Sequence, residues 1–165
     1  MNPFVQYQNI IQLLEPKDIG TTVTASAYMD LKGANRAAFL IQFGAITSAT
    51  ANDTEDITVE AATSDAGATE VQIDFKYRKS GALGTNTWGA ITSASVLAMT
   101  ASADDNKMVW IEIDPDALAA NDYRYVRVKL TDNPDMTACL VGVIGLLDPV
   151  YRMTTMITAT ASASA

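Results

Sequence analysis

The sequence predicts an all-β fold: an antiparallel β-sandwich or jelly roll of about eight strands with an arm at each end. Apolar and polar residues alternate with a period of two from about residue 21 onward, and turn-forming clusters such as Ser80–Gly84 separate the runs. The length of 165 residues suits about one domain, which can bury enough surface to fold without disulfides or metal. The sandwich is predicted to span residues 19–152, between an N-terminal arm of residues 1–18 and a low-complexity C-terminal tail of residues 153–165.

The N-terminal arm has a helical spacing of apolar residues. The residues that share one helical stripe are Phe4, Tyr7, Ile11 and Leu14. An isolated helix of this length is marginal in water without a surface to pack on. The arm is therefore predicted to be helical or extended and to lie on its own sandwich or on a neighbouring molecule. The four stripe residues are candidates for contacts between molecules.

The first half of the sandwich contains four alternating runs, each predicted to be a strand with one buried and one wet face. The residues predicted to point inward are Val23, Ala25, Ala27, Met29 and Leu31 in the run Thr22–Leu31, then Phe39, Ile41 and Phe43, then Ile57, Val59 and Ala61, and finally Val71, Ile73, Phe75 and Tyr77 in the run Glu70–Arg78. The last run is the clearest, because Gln72, Asp74 and Lys76 alternate strictly with its apolar residues.

The second half continues the pattern, and the Asp114–Leu118 segment between two of its strands is predicted to form one helical turn. The inward candidates are Ile91, Val96, Leu97 and Met99 in the weaker run Trp88–Met99, then Val109, Ile111 and Ile113, then Val126, Val128 and Leu130. The run Ala138–Leu147 is apolar on both faces, which predicts a central strand covered on both sides. It contains the only cysteine, Cys139, which is predicted to be a buried, inert thiol.

Composition argues against several classes of function. The formal charge of −8 and the small number of Lys and Arg residues, eleven, disfavour nucleic acid as a partner. The chain has no histidine, which removes the commonest general base and the commonest metal ligand. No apolar run approaches the roughly 20 residues that a membrane helix needs. We therefore predict no enzyme activity, no catalytic residues, no cofactor, no metal and no membrane partner.

Two sets of acidic residues could form a functional site, although each also has an ordinary structural explanation. Glu112 and Asp114 stand two apart on one strand face, a spacing that could pair carboxylates for glycoside hydrolysis. A solvated strand face is the ordinary use of such residues. The acidic loops at residues 52–56 and 104–106 offer oxygen ligands for calcium, but neither has the ligand spacing of an EF-hand.

Four aromatic residues could likewise serve either in ligand binding or in protein packing. Trp88 and Trp110, together with Tyr77 and Tyr125, could stack on the rings of a bound sugar. Outward aromatic residues are also enriched in protein interfaces, and others serve in the core. Trp110 shares the outer face of its predicted strand with Glu112, so it is a candidate for contact with a partner.

Several stretches of strand and turn signatures resemble small structural proteins of tailed bacteriophages. They are Leu14–Asp18, Tyr28–Lys32, Phe39–Gly44, Phe75–Ser80, Asp105–Pro115, Tyr125–Leu130 and Leu147–Arg152. The resemblance covers roughly residues 10–152 and contains no chemical motif. Within that group the sequence is most similar to head decoration (cement) proteins with a jelly-roll body.

The resemblance implies a virion protein on the outer capsid surface that binds the major capsid protein, often as a homotrimer, and has no catalytic residues. We expect it to stabilise the head through many identical weak contacts. Contacts between subunits are expected from the N-terminal arm and from the segment after Tyr151. Two alternatives remain: another virion component, such as a tail or connector protein, and a carbohydrate-binding β-sandwich module. The second requires Trp88 or Trp110 to be exposed in a groove.

Overall fold

The computed structural model describes residues 8–20, 22–50, 53–132 and 136–149, which form two antiparallel sheets packed face to face. Sheet A contains, in spatial order, β1 (Asn9–Asp18), β12 (Met136–Pro149), β4 (Ala34–Ser48), β10 (Met108–Ile113), β7 (Phe75–Lys79) and β8 (Thr92–Ala94). Sheet B contains β2 (Thr24–Ala25), β11 (Tyr125–Asp132), β5 (Thr54–Ala62) and β6 (Val71–Ile73), with β3 (Met29–Asp30) paired to β11 and β9 (Leu97–Thr100) paired to β5. The short helix α1 (Pro115–Ala119) follows β10. The predicted all-β sandwich is confirmed.

The core lies between the two sheets and is built by the predicted alternation. Phe39, Ile41 and Ile111 from sheet A are fully buried, as are Val59 and Val128 from sheet B. Cys139 is also fully buried, as predicted. Alternate residues of each strand must face away from this core, so the chemistry of the two outer faces is set by the other half of each strand.

Two runs that were each predicted as one strand switch from one sheet to the other. Glu70–Arg78 divides at Asp74, so that β6 belongs to sheet B and β7 to sheet A. The alternation continues through this break because the inner faces of both sheets meet the same core. The run Trp88–Met99 divides into β8 and β9 in the same way. Ile91 (62% exposed) and Val96 (45% exposed) were predicted to point inward, and this prediction is wrong. These divisions help to explain why the described residues form twelve strands rather than about eight.

The run Thr22–Leu31 also divides, and its predicted inward set is wrong in the first half. Thr24 and Ser26 are buried whereas Val23 is 58% exposed. Ser26 exchanges hydrogen bonds with the backbone of Val128, donating its N–H to the carbonyl (2.9 Å) and accepting the Val128 N–H on its hydroxyl oxygen (3.1 Å). The next residue, Ala27, donates to Leu13 in sheet A (2.8 Å). The chain thus leaves sheet B between β2 and β3, and the alternation shifts by one residue there.

The N-terminal arm is extended where the structure describes it, so the helical alternative is wrong for residues 9–18. These residues form the edge strand β1, which pairs with β12 from Asn9 opposite Leu147 to Asp18 opposite Leu140. Leu13 is buried in the core. Pairing with a neighbouring strand satisfies backbone groups along its whole length, which an isolated short helix cannot match in stability. Phe4 and Tyr7 lie outside the described residues, as do Tyr151 and the tail.

A carboxylate links the two sheets at one end of the sandwich. Asp104 is buried and accepts hydrogen bonds from Lys79 Nζ of sheet A (2.7 Å), from Lys107 Nζ (2.8 Å) and from the Thr100 N–H of sheet B (3.0 Å). Burial alone would raise the pKa of Asp104, but the bonds from Lys107, Lys79 and the Thr100 amide outweigh it and hold the pKa below its usual value. The folded state therefore favours the charged carboxylate.

Substitution Asp104→Asn should lower the free energy of unfolding at pH 7 by about 1–3 kcal/mol, since it removes the charge between two lysines. The unfolded-state pKa of Asp is about 3.9 and the folded-state pKa is lower. The contribution is thus fully present above about pH 4 and is lost as the pH falls through the folded pKa. Urea unfolding of both proteins at decreasing pH measures it, with Asp65→Asn in an exposed turn as the control. A difference that does not shrink in acid would contradict this role.

Substitution Gly20→Ala should also destabilise the fold. A Cβ atom at Gly20 would lie 2.6 Å from the Cα of Ala138 and 2.9 Å from the Thr137 carbonyl oxygen. These are backbone atoms of β12, so relief requires a shift of a central strand, at a cost of about 1–3 kcal/mol. Gly89→Ala is the matched control, because its Cβ would meet nothing nearer than 3.5 Å. Equal urea midpoints for the two variants would contradict the prediction.

Candidate interaction surface and cleft

The outer face of sheet A carries a continuous group of large apolar side chains, here called the apolar face. It consists of Ile10 from β1, Leu140, Ile144 and Leu146 from β12, Leu40 from β4 and Trp110 from β10. In the ladder Leu40 lies opposite both Ile144 and Trp110, and Leu146 lies opposite Ile10. Ile10 is 53% exposed and Leu140 is 49% exposed. An exposed apolar sheet face of this kind marks an interaction site in a folded protein.

The apolar face arises because β12 is apolar on both sides. From Cys139 to Leu147 its odd-numbered residues, such as Val141 and Val143, enter the core, and its even-numbered residues face outward. The prediction that this strand is central is confirmed, since it lies between β1 and β4. The predicted cover on its second side does not come from any part of the chain that the structure describes.

The outer face of sheet B has the opposite chemistry. Glu60 accepts hydrogen bonds from Arg127 Nε (2.8 Å) and Lys129 Nζ (2.9 Å). Its own burial would raise the pKa, but the bonds from Lys129 and Arg127 lower it below the usual value for glutamate. Arg127 also forms an ion pair with Glu70 (2.5 Å). The cations and carboxylates at the centre of this face are therefore neutralised by one another.

Tyr28 extends the same network. Its hydroxyl donates to Glu70, and its ring lies 4.8 Å from the guanidinium carbon of Arg127. Burial and the hydrogen bond to Glu70 raise the pKa of Tyr28 to about 12. Arg124 and Asp30 form a further bidentate pair beside it. Charges that are already paired within the fold gain little from a partner, which leaves sheet A as the candidate binding face.

The four aromatic residues considered from the sequence have different environments. Tyr77 lies on the inner face of β7, with its ring centroid 6.2 Å from that of Phe75. Arg78 lies over Trp88 (5.3 Å to the ring centroid) and Arg124 lies over Tyr125 (5.1 Å). These two rings are therefore covered by guanidinium groups.

Of these four residues, Trp110 lines the larger cleft of sheet A. It is partly exposed, and its indole N–H is buried without a hydrogen-bond partner among the described residues. The carbohydrate-binding alternative requires a tryptophan exposed in a groove, and Trp110 lies in a groove but is only partly exposed.

The cleft has a volume of about 720 Å³ and lies at one end of sheet A, where Trp110 and Leu146 of the apolar face form part of its lining. Its polar lining includes Asn35, Arg36, Lys76, Glu112 and Asp148. Lys76 stands directly opposite Glu112 in the ladder, and Arg36 stands opposite Asp148. None of these five side chains makes a hydrogen bond or ion pair with another described residue. The sequence analysis missed Arg36, Lys76 and Asp148, because only the strand register brings them together.

The two members of the predicted carboxylate pair both line the cleft but have different local roles. Glu112 makes no hydrogen bond with another described residue, whereas Asp114 is the N-cap of α1. Its Oδ1 accepts the N–H groups of Asp116 (3.1 Å) and Ala117 (3.4 Å). This confirms the predicted helical turn and gives Asp114 a structural role.

The acidic loops bond within the fold. Asp53 accepts from the Ser48 hydroxyl, and Asp105 accepts the Ile46 N–H (2.8 Å), while Asp104 holds two lysines. Asn52 lies outside the described residues. Within the described ranges no group of three or more Asp, Glu or Cys side chains could hold a metal ion. No helix in the same ranges is long and apolar enough to cross a membrane.

Of the other predicted contact residues, Ile11 and Leu14 are partly buried against the core of their own sandwich. Ile10, which the helical spacing left out, is the residue of β1 that is exposed on the apolar face. A period of two along β1 would have identified it. Phe4, Tyr7 and Tyr151 are not among the described residues.

Comparison with known proteins gives little guidance. No protein-family model matches the chain, and no curated protein matches it. Among solved structures, the crystal structure of the SPBc2 prophage-derived protein YomS matches with a TM-score of 0.47 and 11% sequence identity, covering 85% of this chain and 91% of that chain. A likeness this distant assigns neither a family nor a function.

Proposed function

We propose that the protein is a structural component of a bacteriophage virion: a head decoration protein that binds the major capsid protein on the outer surface and stabilises the shell. The single observation that carries the proposal is the contrast between the two outer faces. Sheet B presents paired charges, whereas sheet A presents Ile10, Leu140 and their apolar neighbours to solvent. The resemblance of the sequence to decoration proteins supplies the kind of partner.

The apolar face has the character of a docking surface. Burial of apolar surface contributes about 25 cal/mol per Å², and a typical stable interface buries about 800 Å² on each partner. Trp110 lies at the β10 side of the face, opposite Leu40, and tryptophan is enriched among the residues that dominate binding energy. Many copies on one shell then act together, so that modest individual contacts stabilise the particle.

Self-association is the second part of the proposal, with a homotrimer as the expected form. The sequence assigned these contacts to the N-terminal arm and to the segment after Tyr151. Leu13 is buried and β1 pairs with β12, so a deletion of residues 1–16 would damage the sandwich itself. A deletion confined to residues 1–7 leaves all described strands intact and is the cleaner test of the arm.

We propose a binding role without catalysis. The chain contains no histidine, and Asp114, one of the two carboxylates considered for glycoside hydrolysis, caps helix α1. Docking on a shell needs shape and apolar area rather than a reactive group.

Substitutions Ile10→Glu and Leu140→Glu should each weaken binding to the capsid at least tenfold, because each places an unpaired carboxylate in a surface that becomes dry on docking. Both side chains are about half exposed, so the fold should be retained. Binding to purified heads that lack the protein is measured by co-sedimentation over a range of concentrations. Val23→Glu is the matched control, since Val23 is equally exposed but lies next to β2 of sheet B.

Undiminished binding by both variants would contradict docking through the apolar face. Cryo-electron microscopy of the particle tests the location independently. Density for the chain on a tail or connector would replace the decoration role with another virion role. Light scattering of the purified protein and its variants shows whether the same face mediates self-association.

A further inference from the structure

The cleft at the end of sheet A shares Trp110 and Leu146 with the apolar face, but docking through that face does not need the polar side chains of the cleft. We infer that it is a binding site for a neutral oligosaccharide. Its polar side chains, its charge balance and its position in the sheet each favour this class of ligand.

The polar side chains of the cleft are available to a ligand. The cations of sheet B and of the Asp104 site are held by carboxylates in ion pairs. In the cleft, by contrast, Lys76 and Glu112 are ladder neighbours of opposite charge that form no ion pair, and Arg36 and Asp148 are a second such pair. Donors and acceptors are thus presented side by side. Sugar hydroxyls, which both donate and accept, match such an alternation.

The charge of the lining disfavours an anionic ligand. The two cations of the lining, Arg36 and Lys76, stand among four carboxylates, Asp74, Glu112, Asp114 and Asp148. A phosphate or sulfate would meet more negative than positive charge. A divalent cation finds no cluster of three carboxylates in the described part of the chain. A neutral ligand avoids both difficulties.

The floor of the cleft favours side-chain recognition over strand addition. It lies on β4 and β10, which are interior strands with neighbours on both sides. Their backbone groups are used in the ladders, so an extended peptide cannot bind here by adding a strand, the mode that gives peptides backbone hydrogen bonds. Trp110 lines the cleft beside Glu112 and offers a flat apolar surface to the C–H face of a sugar ring. The volume of about 720 Å³ is within the range of ligand clefts.

The test uses the full chain on an array of neutral oligosaccharides printed beside sialylated and sulfated ones, followed by calorimetric titration with a neutral oligosaccharide that binds. Glu112→Gln and Lys76→Met should each weaken that binding about tenfold, because each removes a charge-assisted hydrogen bond. Glu15→Gln and Lys32→Met are the matched controls on exposed positions outside the cleft and should bind within about twofold of the native chain.

The outcomes separate this inference from the docking proposal. Neutral glycan binding that both cleft variants weaken, with capsid binding unchanged, supports the inference. Binding of no neutral glycan, or of anionic glycans only, overturns it and leaves the docking proposal intact. Loss of capsid binding in Glu112→Gln without any glycan binding would show that the cleft is a protein contact and would also overturn it.

Discussion

The burial of two inner sheet faces against one another is the constraint on which the other features depend. Strands β10 and β11, and β4 from Phe39 to Phe43, place every second residue in a buried layer. A one-residue slip would exchange the buried and exposed sets, so the register is strongly fixed. Once the inner faces are fixed, the outward residues contribute little to the core and are open to other uses. The two sheets use this freedom differently, with ion pairs on sheet B and apolar side chains on sheet A.

The strands with strict alternation were predictable because the periodicity depends only on which side faces the core. Val126, Val128 and Leu130 are inward as the sequence indicated. The sheet to which a run belongs was not predictable, since the period of two is the same in both sheets. Glu70–Arg78 therefore appeared as one strand although it changes sheets at Asp74.

The N-terminal segment shows where local pattern gives way to tertiary pairing. Ile10, Ile11, Leu13 and Leu14 come in adjacent pairs, which satisfy a helical spacing as well as a strand with irregular register. The register shifts that follow Gln12 and Leu14 in the pairing with β12 explain why no clean alternation was visible. The long apolar partner β12 decides in favour of the strand. The cleft was hidden for a related reason, because Arg36 and Asp148 are far apart in sequence and meet only through that strand's pairing with β4.

The distribution of charge adds an argument about orientation. The chain carries a formal charge of −8, but the outer face of sheet A has three cations, Arg36, Lys76 and Arg78, against two carboxylates on strands β12, β4, β10 and β7. The acidic surplus therefore lies on the rest of the molecule. Like-charge repulsion makes orientations that bring those other surfaces against an acidic partner unfavourable, and it acts before contact. The same outer face is the apolar one, so under the docking proposal a partner with an acidic surface would meet less like-charge repulsion at this face than at the other surfaces.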